Sequence, residues 1–460
     1  MTPEEITKLL ERILPKVQKP GRYVGGELNQ IIKSWESTQV RVALAFPDIY
    51  DIGVPNLGLA ILYDSLNKRS DVLAERTFLP WIDMEAFLRK DEIPLYSLES
   101  KHPIAEFDIL GITIPYETLY TNVLNLLDLA NIPIHSTNRS HSHPLILAGG
   151  HASFNPEPMA DFIDAFVIGE GEDVIHEIVD CYKSWKIAHQ NRKDLLVSLS
   201  QIDGVYIPSL YQPAYRQDGT ISSINPASAG IPQTILKRIV PVLPPPPTHF
   251  IVPSIDVVHN RVSIEIMRGC TRGCRFCHAG MINRPVRERK VEDILLAIQA
   301  SLEATGYEEI ALLSLSSSDY TKIDDLISQI SDHASENHLV ISLPSLRIDS
   351  FSIALMQKLA GNGQGGFTLA PEAATERMRN IINKPISSQQ LIDVSKEIYS
   401  RGWTSLKLYF MIGHPSETLE DVQAIVDLCK QVLAEGRKLI GKRATLHAGV
   451  STFVPKSHTP

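Results

Sequence analysis

The sequence predicts an α/β protein with two successive parts: a doubly wound, Rossmann-like domain, and a second region built on six parallel strands. Short apolar runs alternate with helical patterns between about residues 38 and 184, and the same alternation resumes from 256 to 460. A hairpin pattern and a proline-rich stretch separate the two regions. Three of the five cysteines follow the first strand of the second region within one short loop.

Residues 1–37 are predicted to form an N-terminal helix and lead-in. Thr2-Pro-Glu-Glu5 is a capping box with proline at the first helical position, and an amphipathic pattern continues to about Val17. Such a helix is expected to dock on the domain that follows.

The region from 38 to 184 predicts buried parallel strands with helices between them. Strands are expected at 40–46, 107–114, 145–148 and 165–168, and helices at 57–66, 118–130 and 173–182. Ligands of such a sheet bind at the carboxyl ends of its strands, where this sequence has glycine-rich turns.

A connector is predicted over residues 185–255. Residues 204–211 and 214–224 suggest a hairpin with Asp218-Gly219 at its turn, and the prolines from Pro244 to Pro247 suggest an extended spacer. Beyond it, strands are expected at 262–266, 310–315, 339–343, 366–369, 406–411 and 445–453.

Cys270, Cys274 and Cys277 form a C-x-x-x-C-x-x-C pattern. Three thiolates can hold three irons of a 4Fe-4S cluster, which leaves the fourth iron open to an outside ligand. A zinc site with His278 as fourth ligand lacks the usual separation between ligand pairs. A disulfide framework is disfavoured because three cysteines crowd one loop and no secretory signal precedes them.

This spacing, with Phe276 before the last cysteine, resembles the signature of the radical S-adenosylmethionine (SAM) superfamily. The resemblance implies a partial (β/α)6 barrel, a 4Fe-4S cluster that chelates SAM, and reductive cleavage of SAM to a 5′-deoxyadenosyl radical. It also implies a low-potential electron donor of flavodoxin or ferredoxin type. The cofactors carry this chemistry, while the protein binds and orients them.

The same resemblance implies residues that contact SAM at the carboxyl ends of the barrel strands. They are Ser316 and Ser317 after strand two, Ser345 and Arg347 after strand three, Glu372 and Arg377 after strand four, and Met411 and Gly413 on strand five.

The N-terminal domain is similar to the cobalamin-binding-type domain of one branch of that superfamily. Asp48 to Gly53 keeps the frame of the D-x-H-x-x-G loop but has Tyr50 in the slot of the cobalt-ligating histidine. Cobalamin binding, without that lower ligand, is therefore an expectation from resemblance only. The residues it implies are Tyr50, Gly53, Gly58, Gly149, Gly150 and Gly169.

The nearest resemblance is to cobalamin-domain radical SAM proteins of unassigned substrate, which continue past residue 460 with a further helix, so a C-terminally truncated chain is expected. The predicted function is a radical SAM enzyme that modifies, for example by methylation, an unactivated carbon of an unknown substrate. The alternatives are a non-catalytic iron-sulfur module that binds a partner such as RNA or a ribonucleoprotein, and an inactive fragment.

Composition fits a cytoplasmic enzyme with no membrane segment, because no apolar run reaches about 18 residues. The net charge of -9 argues against a generally nucleic-acid-binding surface. A local basic set surrounds the cysteines, and it is equally consistent with anion binding and with a solvated face. Its members are Arg268, Arg272, Arg275, Arg284, Arg287, Arg289 and Lys290.

Overall fold

The computed structural model describes residues 1–337, 339–343, 348 and 367–460. The chain divides into two compact units. The first comprises Met1–Val242, Pro247–Asn260 and Glu303–Gly306, and the second comprises Leu243–Pro246, Arg261–Leu302 and Tyr307–Pro460.

The first unit is built on a six-stranded sheet in the order β2-β1-β3-β4-β5-β6, parallel except for β6. The predicted doubly wound α/β fold is confirmed. Its sheet strands are β1 Val40–Phe46, β2 Val72–Phe78, β3 Ile109–Thr113, β4 Leu145–Gly149, β5 Ala165–Val167 and β6 Val205–Tyr206. Its helices are α1 Pro3–Ile13, α2 Tyr50–Gly53, α3 Leu57–Asn67, α4 Ile82–Lys90, α5 Tyr120–Leu129, α6 Gly171–Ala188 and α7 Arg192–Leu199.

The strand order defines a topological switch point between β1 and β3. The chain runs from β1 to β2 on one side of the sheet, and then returns past β1 to build β3, β4 and β5 on the other. Open α/β sheets bind ligands in the crevice that this reversal leaves at the carboxyl ends of the strands. A ligand of this unit is therefore expected to bind at the loops after β1 and β3.

The N-terminal helix α1 docks on the sheet as predicted. Thr2 and Glu5 close a reciprocal capping box, in which the Thr2 N–H donates to Glu5 at 2.8 Å and the Glu5 N–H to Thr2 at 3.3 Å. Ile6, Leu10 and Ile13 are buried in the hydrophobic core that also contains β1 to β5.

Strand β2 was not predicted, because its sequence carries Glu75 and Arg76 at buried positions. The Arg76 guanidinium bonds to Glu99 at 2.7 Å and to Glu27 of the N-terminal lead-in at 3.0 Å. Glu75 accepts a hydrogen bond from the hydroxyl of Ser100 at 2.6 Å. Buried charges are tolerated only with such partners, so this network fixes the lead-in against the sheet.

The connector differs from the prediction in one respect. The antiparallel hairpin consists of β7 Tyr211–Tyr215 and β8 Ile221–Pro226, with Asp218 and Gly219 in its turn. The run before it is not a hairpin strand, because Val205–Tyr206 pairs with β5 and closes the edge of the main sheet.

The second unit contains the six predicted parallel strands, in two three-stranded sheets of order β9-β12-β13 and β14-β15-β16. These strands are β9 Val262–Glu265, β12 Glu309–Leu313, β13 Val340–Ser342, β14 Phe367–Glu372, β15 Ser405–Ile412 and β16 Thr445–Thr452. A short antiparallel pair, β10 Met267–Arg268 and β11 Arg287–Glu288, flanks the cysteines. The helices are α8 His278–Ile282, α9 Val291–Thr305, α10 Ile323–Asn337, α11 Glu376–Ile381, α12 Ser388–Ser400 and α13 Leu419–Ile440.

Candidate functional site

The cysteine loop, residues 270–277, follows β9 and β10 and ends at helix α8. Cys274 is buried, whereas Cys270 and Cys277 are partly exposed. The backbone N–H of Arg272 points at the Cys270 sulfur at 3.5 Å, and that of Gly280 donates to the Cys277 sulfur at 3.3 Å. Hydrogen bonds to sulfur are one of the means by which a protein sets the potential of an iron-sulfur cluster.

The end of helix α11 holds one side of the cysteine loop. The Arg275 N–H donates to the Ile382 carbonyl at 3.0 Å, and the Arg275 guanidinium reaches the Ile381 carbonyl at 2.7 Å. The Asn383 amide donates to the Gly273 carbonyl at 2.8 Å. These bonds fix the loop backbone without using the thiols.

The loop after β12 holds the other side. Arg272 forms a bidentate ion pair with Asp319, whose shared carboxylate also accepts a hydrogen bond from Ser316 at 2.6 Å. Ser317 bonds to Ser314 at 3.0 Å. Ser316 and Ser317 are fully buried. The hydroxyl groups of these two serines, which were predicted to contact SAM, form hydrogen bonds within the loop itself.

Glu372 lies at the end of β14, where a register shift interrupts the pairing with β15. Its φ of 68° is in the left-handed region, which costs a residue with a β-carbon free energy and often marks a functional site. The Glu372 carboxylate pairs with Lys384 at 3.1 Å.

Arg377, the second predicted contact beyond β14, is engaged elsewhere. Its guanidinium pairs with Asp421 and donates to the Ser416 carbonyl at 3.0 Å. Burial alone would raise the pKa of Asp421, but hydrogen bonds from Thr375 and Arg377 hold it well below its usual range. Arg377 therefore anchors the start of α13.

The end of β15 carries Met411 and Gly413, and next to them a residue that the sequence analysis did not select. His414 is buried, with its ring 4.8 Å from Phe453 and 6.3 Å from Phe276 of the cysteine loop. Its Nε2 has no hydrogen-bond partner among the described residues. Burial lowers its pKa, although Glu417 and Glu372 act in the opposite direction. The signal was in the sequence, because a histidine directly follows Gly413 at a strand end.

Two predicted SAM contacts, Ser345 and Arg347, lie outside the described residues.

The cysteine loop has the chemistry that a 4Fe-4S cluster needs. No disulfide joins any of the five cysteines, all of which lie in the described ranges. Burial raises the pKa of the Cys277 thiol, and the neighbouring thiols raise it further. Three sulfurs within one loop would hold three irons and leave the fourth for SAM. Within the described ranges, no group of three or more His, Cys, Asp or Glu side chains is placed to hold a single metal ion.

Tyr50, in the slot of the cobalt-ligating histidine, is closed off from ligands. It is 1% exposed, its hydroxyl donates to Glu27 at 3.0 Å, and its ring lies edge-on to Phe78 at 5.4 Å. A β-carbon on Gly53 would meet Phe78 at 2.5 Å. Tyr50 thus ties the lead-in to α2, and Gly53 lets α2 approach β2 closely.

The remaining glycines divide into two kinds. Gly58 lies in the first turn of α3 and Gly149 at the end of β4, and a β-carbon on Gly149 would meet nothing within 4 Å. Gly150 and Gly169 have positive φ, and a β-carbon on them would lie 2.6 Å from the Ile114 carbonyl oxygen and 2.2 Å from the Arg238 carbonyl oxygen, respectively. The chain's own packing requires the latter two to be glycine.

At least five of the seven basic residues around the cysteines donate to groups of the chain itself. They are Arg268 to Glu265, Arg272 to Asp319, Arg275 to Ile381, Arg287 to Asn283 and Arg289 to Glu265 and Pro244. Most of this set is therefore structural.

Two family models match the chain. "Radical SAM proteins, N-terminal" matches residues 58–208, and "Radical SAM superfamily" matches residues 264–429, so that together they span more than half of the sequence. The chain belongs to the radical SAM superfamily. It is thus a radical SAM enzyme, of a family that uses a 4Fe-4S cluster and SAM and depends on a reductant.

Two relatives in sequence cover most of this radical SAM protein. The uncharacterized protein MJ0966 of Methanocaldococcus jannaschii is 28% identical over 91% of this chain and 78% of its own length. The uncharacterized methyltransferase PH0819 of Pyrococcus horikoshii is 24% identical over 82% of this chain and 73% of its own.

Two solved structures share its fold. The radical SAM methyltransferase TsrM from Kitasatospora setae, with cobalamin and a [4Fe-4S] cluster bound, has a TM-score of 0.57 at 15% identity and covers 90% of this chain and 74% of its own. The cobalamin-dependent radical SAM enzyme OxsB with aqua-cobalamin bound has a TM-score of 0.58 at 14% identity over 92% of this chain. This chain spans 60% of that OxsB structure. Within the described part of the chain, every helix is too short or too polar to cross a membrane.

Proposed function

We propose that this radical SAM enzyme also binds cobalamin and transfers the methyl group of SAM to an unactivated carbon. The observation that carries the proposal is the likeness of fold to TsrM, whose structure holds cobalamin and a [4Fe-4S] cluster, over 90% of this chain. The sequence relative PH0819, described as a methyltransferase, supports the same reaction class.

Cys270, Cys274 and Cys277 would hold the cluster, and Glu372, Met411 and Gly413 border the site where SAM would bind. When bound, the cluster supplies the electron that cleaves SAM, and cobalamin supplies a carrier for the methyl group. The chain's own part is to fix the cysteine loop through Asp319 and the end of α11, and to keep water from it.

Cobalamin would bind over the switch point between β1 and β3 of the first unit. Gly149 leaves space at the carboxyl ends of the strands, whereas the Tyr50 hydroxyl is hydrogen-bonded to Glu27. The proposal is therefore a cobalamin without a lower ligand from Tyr50.

A substitution at Gly149 tests the cobalamin proposal. Because a β-carbon there meets nothing within 4 Å, Gly149→Leu should fold normally while filling the space that the ligand needs. After anaerobic reconstitution with hydroxocobalamin and gel filtration, absorbance spectra should show cobalamin retained by wild type and Gly149→Ala, and at least tenfold less by Gly149→Leu. Equal retention by all three proteins, or none by wild type, would contradict the proposal.

The electron donor is proposed to be a low-potential flavodoxin or ferredoxin. RNA or a ribonucleoprotein is not part of the proposal, because at least five of the seven basic residues at the cysteine loop are bound within the chain. Filter binding with total RNA tests this. Salt-sensitive binding that vanishes in a variant of the exposed lysine of this set, Lys290→Gln, would restore RNA as a partner.

A further inference from the structure

Lys384 lies at an unusual place for a lysine. It is only 8% exposed and follows residues 381–383, which hydrogen-bond to the cysteine loop. Its backbone N–H donates to the Arg379 carbonyl at 2.8 Å, so the segment is fixed. Phe276 of the cysteine loop packs against a small apolar cluster that includes Ala373, next to Glu372, and Ile382, two residues before Lys384, so both charged residues flank the segments that hold this loop.

The partner of Lys384 is equally unusual. Glu372 takes a left-handed φ of 68° in an interrupted strand, and its carboxylate lies 3.1 Å from the lysine ammonium. A buried ion pair adds little net stability, because desolvation offsets the attraction between the charges. Backbone strain at one member adds a further cost. A contribution to folding stability therefore does not explain why Lys384 and Glu372 are paired at this place.

A fixed charge near a cluster changes how readily the cluster is reduced. Reduction adds one negative charge, so a nearby cation favours the reduced state and a nearby anion disfavours it. We infer that Lys384 and Glu372 act as a pair of opposite charges that sets the reduction potential of the cluster on Cys270, Cys274 and Cys277. Neither residue is a ligand in this role; both are positioning residues. The inference rests on the cluster site of the proposed function.

The test is a redox titration of the reconstituted protein without SAM, with the reduced cluster followed by electron paramagnetic resonance. Lys384→Met should require a more negative potential, with at least a tenfold lower ratio of reduced to oxidised cluster at a fixed applied potential. A tenfold change in this ratio corresponds to a shift in the midpoint potential of about 59 mV for a one-electron reduction. Glu372→Gln should shift the midpoint in the opposite direction, and Lys384→Arg should stay near wild type.

Lys438 and Glu435 provide controls, because they form a lysine-glutamate pair on α13 in which Lys438 is exposed and Glu435 is partly exposed. Lys438→Met and Glu435→Gln should leave the midpoint unchanged. Shifts of the same sign in Lys384→Met and Glu372→Gln, or no shift in either, would overturn the inference while the cluster site stands. If Lys384→Met fails to retain iron, Glu372→Gln alone tests the inference: a higher midpoint potential supports it, and an unchanged or lower one overturns it. A wild-type protein that assembles no cluster would overturn the proposed function as well.

Discussion

Removal of the Tyr50 hydroxyl separates a structural role of this residue from a role in cofactor binding. Tyr50→Phe keeps the ring against Phe78 and deletes the hydroxyl that donates to Glu27 in a buried hydrogen bond of 3.0 Å. A hydrogen bond to a charged group contributes about 1.5–3 kcal/mol. For a unit of this size the loss corresponds to a decrease in the midpoint of thermal unfolding of roughly 3–12 °C.

The assay is thermal unfolding of the apo-protein by circular dichroism, beside cobalamin retention after reconstitution. Tyr120→Phe is the matched control, because its hydroxyl makes a 3.5 Å contact with the Asn155 carbonyl at an exposed position. We expect Tyr50→Phe to unfold at lower temperature and to retain as much cobalamin per folded protein as wild type. A variant with unchanged stability and lost cobalamin would refute the structural assignment and make Tyr50 a cofactor residue.

Two further predictions concern ionic contacts. Asp319→Asn removes the ion pair that ties Arg272 of the cysteine loop to the loop after β12. It should lower bound iron and sulfide severalfold while changing the free energy of unfolding by less than about 1 kcal/mol. An iron content equal to that of wild type would contradict this prediction. Burial lowers the pKa of Lys101 to about 8, below its unfolded value of 10.5, so the unfolded chain binds the extra proton between these values. Stability should therefore rise with pH from about 8 to about 10 more steeply in wild type than in Lys101→Met, and parallel urea-unfolding profiles would contradict this.

The sequence was sufficient for elements whose burial follows from apolar patterns. The six parallel strands of the second unit, the capped helix α1 and the strands β1, β3, β4 and β5 were all predicted within a few residues. Strand β2 was missed because Glu75 and Arg76 break its apolar run, and only the structure brings Glu27 and Glu99 to them. Pairing between residues distant in sequence is not visible in a local pattern.

The candidate site shows the same limit. The spacing of the three cysteines identified the loop, because that chemistry is written in consecutive residues. The role of neighbouring side chains depends on which loop meets which. The bonds of Ser316 to Asp319 and of Arg377 to Asp421 could not be read from the sequence. The burial of Lys384 beside Glu372 could not be read from the sequence either. The reduction potential of the cluster is proposed to depend on this pair.

The most direct test of the central claim is the amount of 5′-deoxyadenosine formed from SAM under anaerobic conditions with dithionite. The account predicts product from the reconstituted wild type and none above background from Cys274→Ala, which retains only two of the three cluster thiols. It also predicts that wild type retains added cobalamin under the same conditions. A wild-type protein that binds iron and sulfide but forms no 5′-deoxyadenosine, or equal product from both proteins, would contradict the claim.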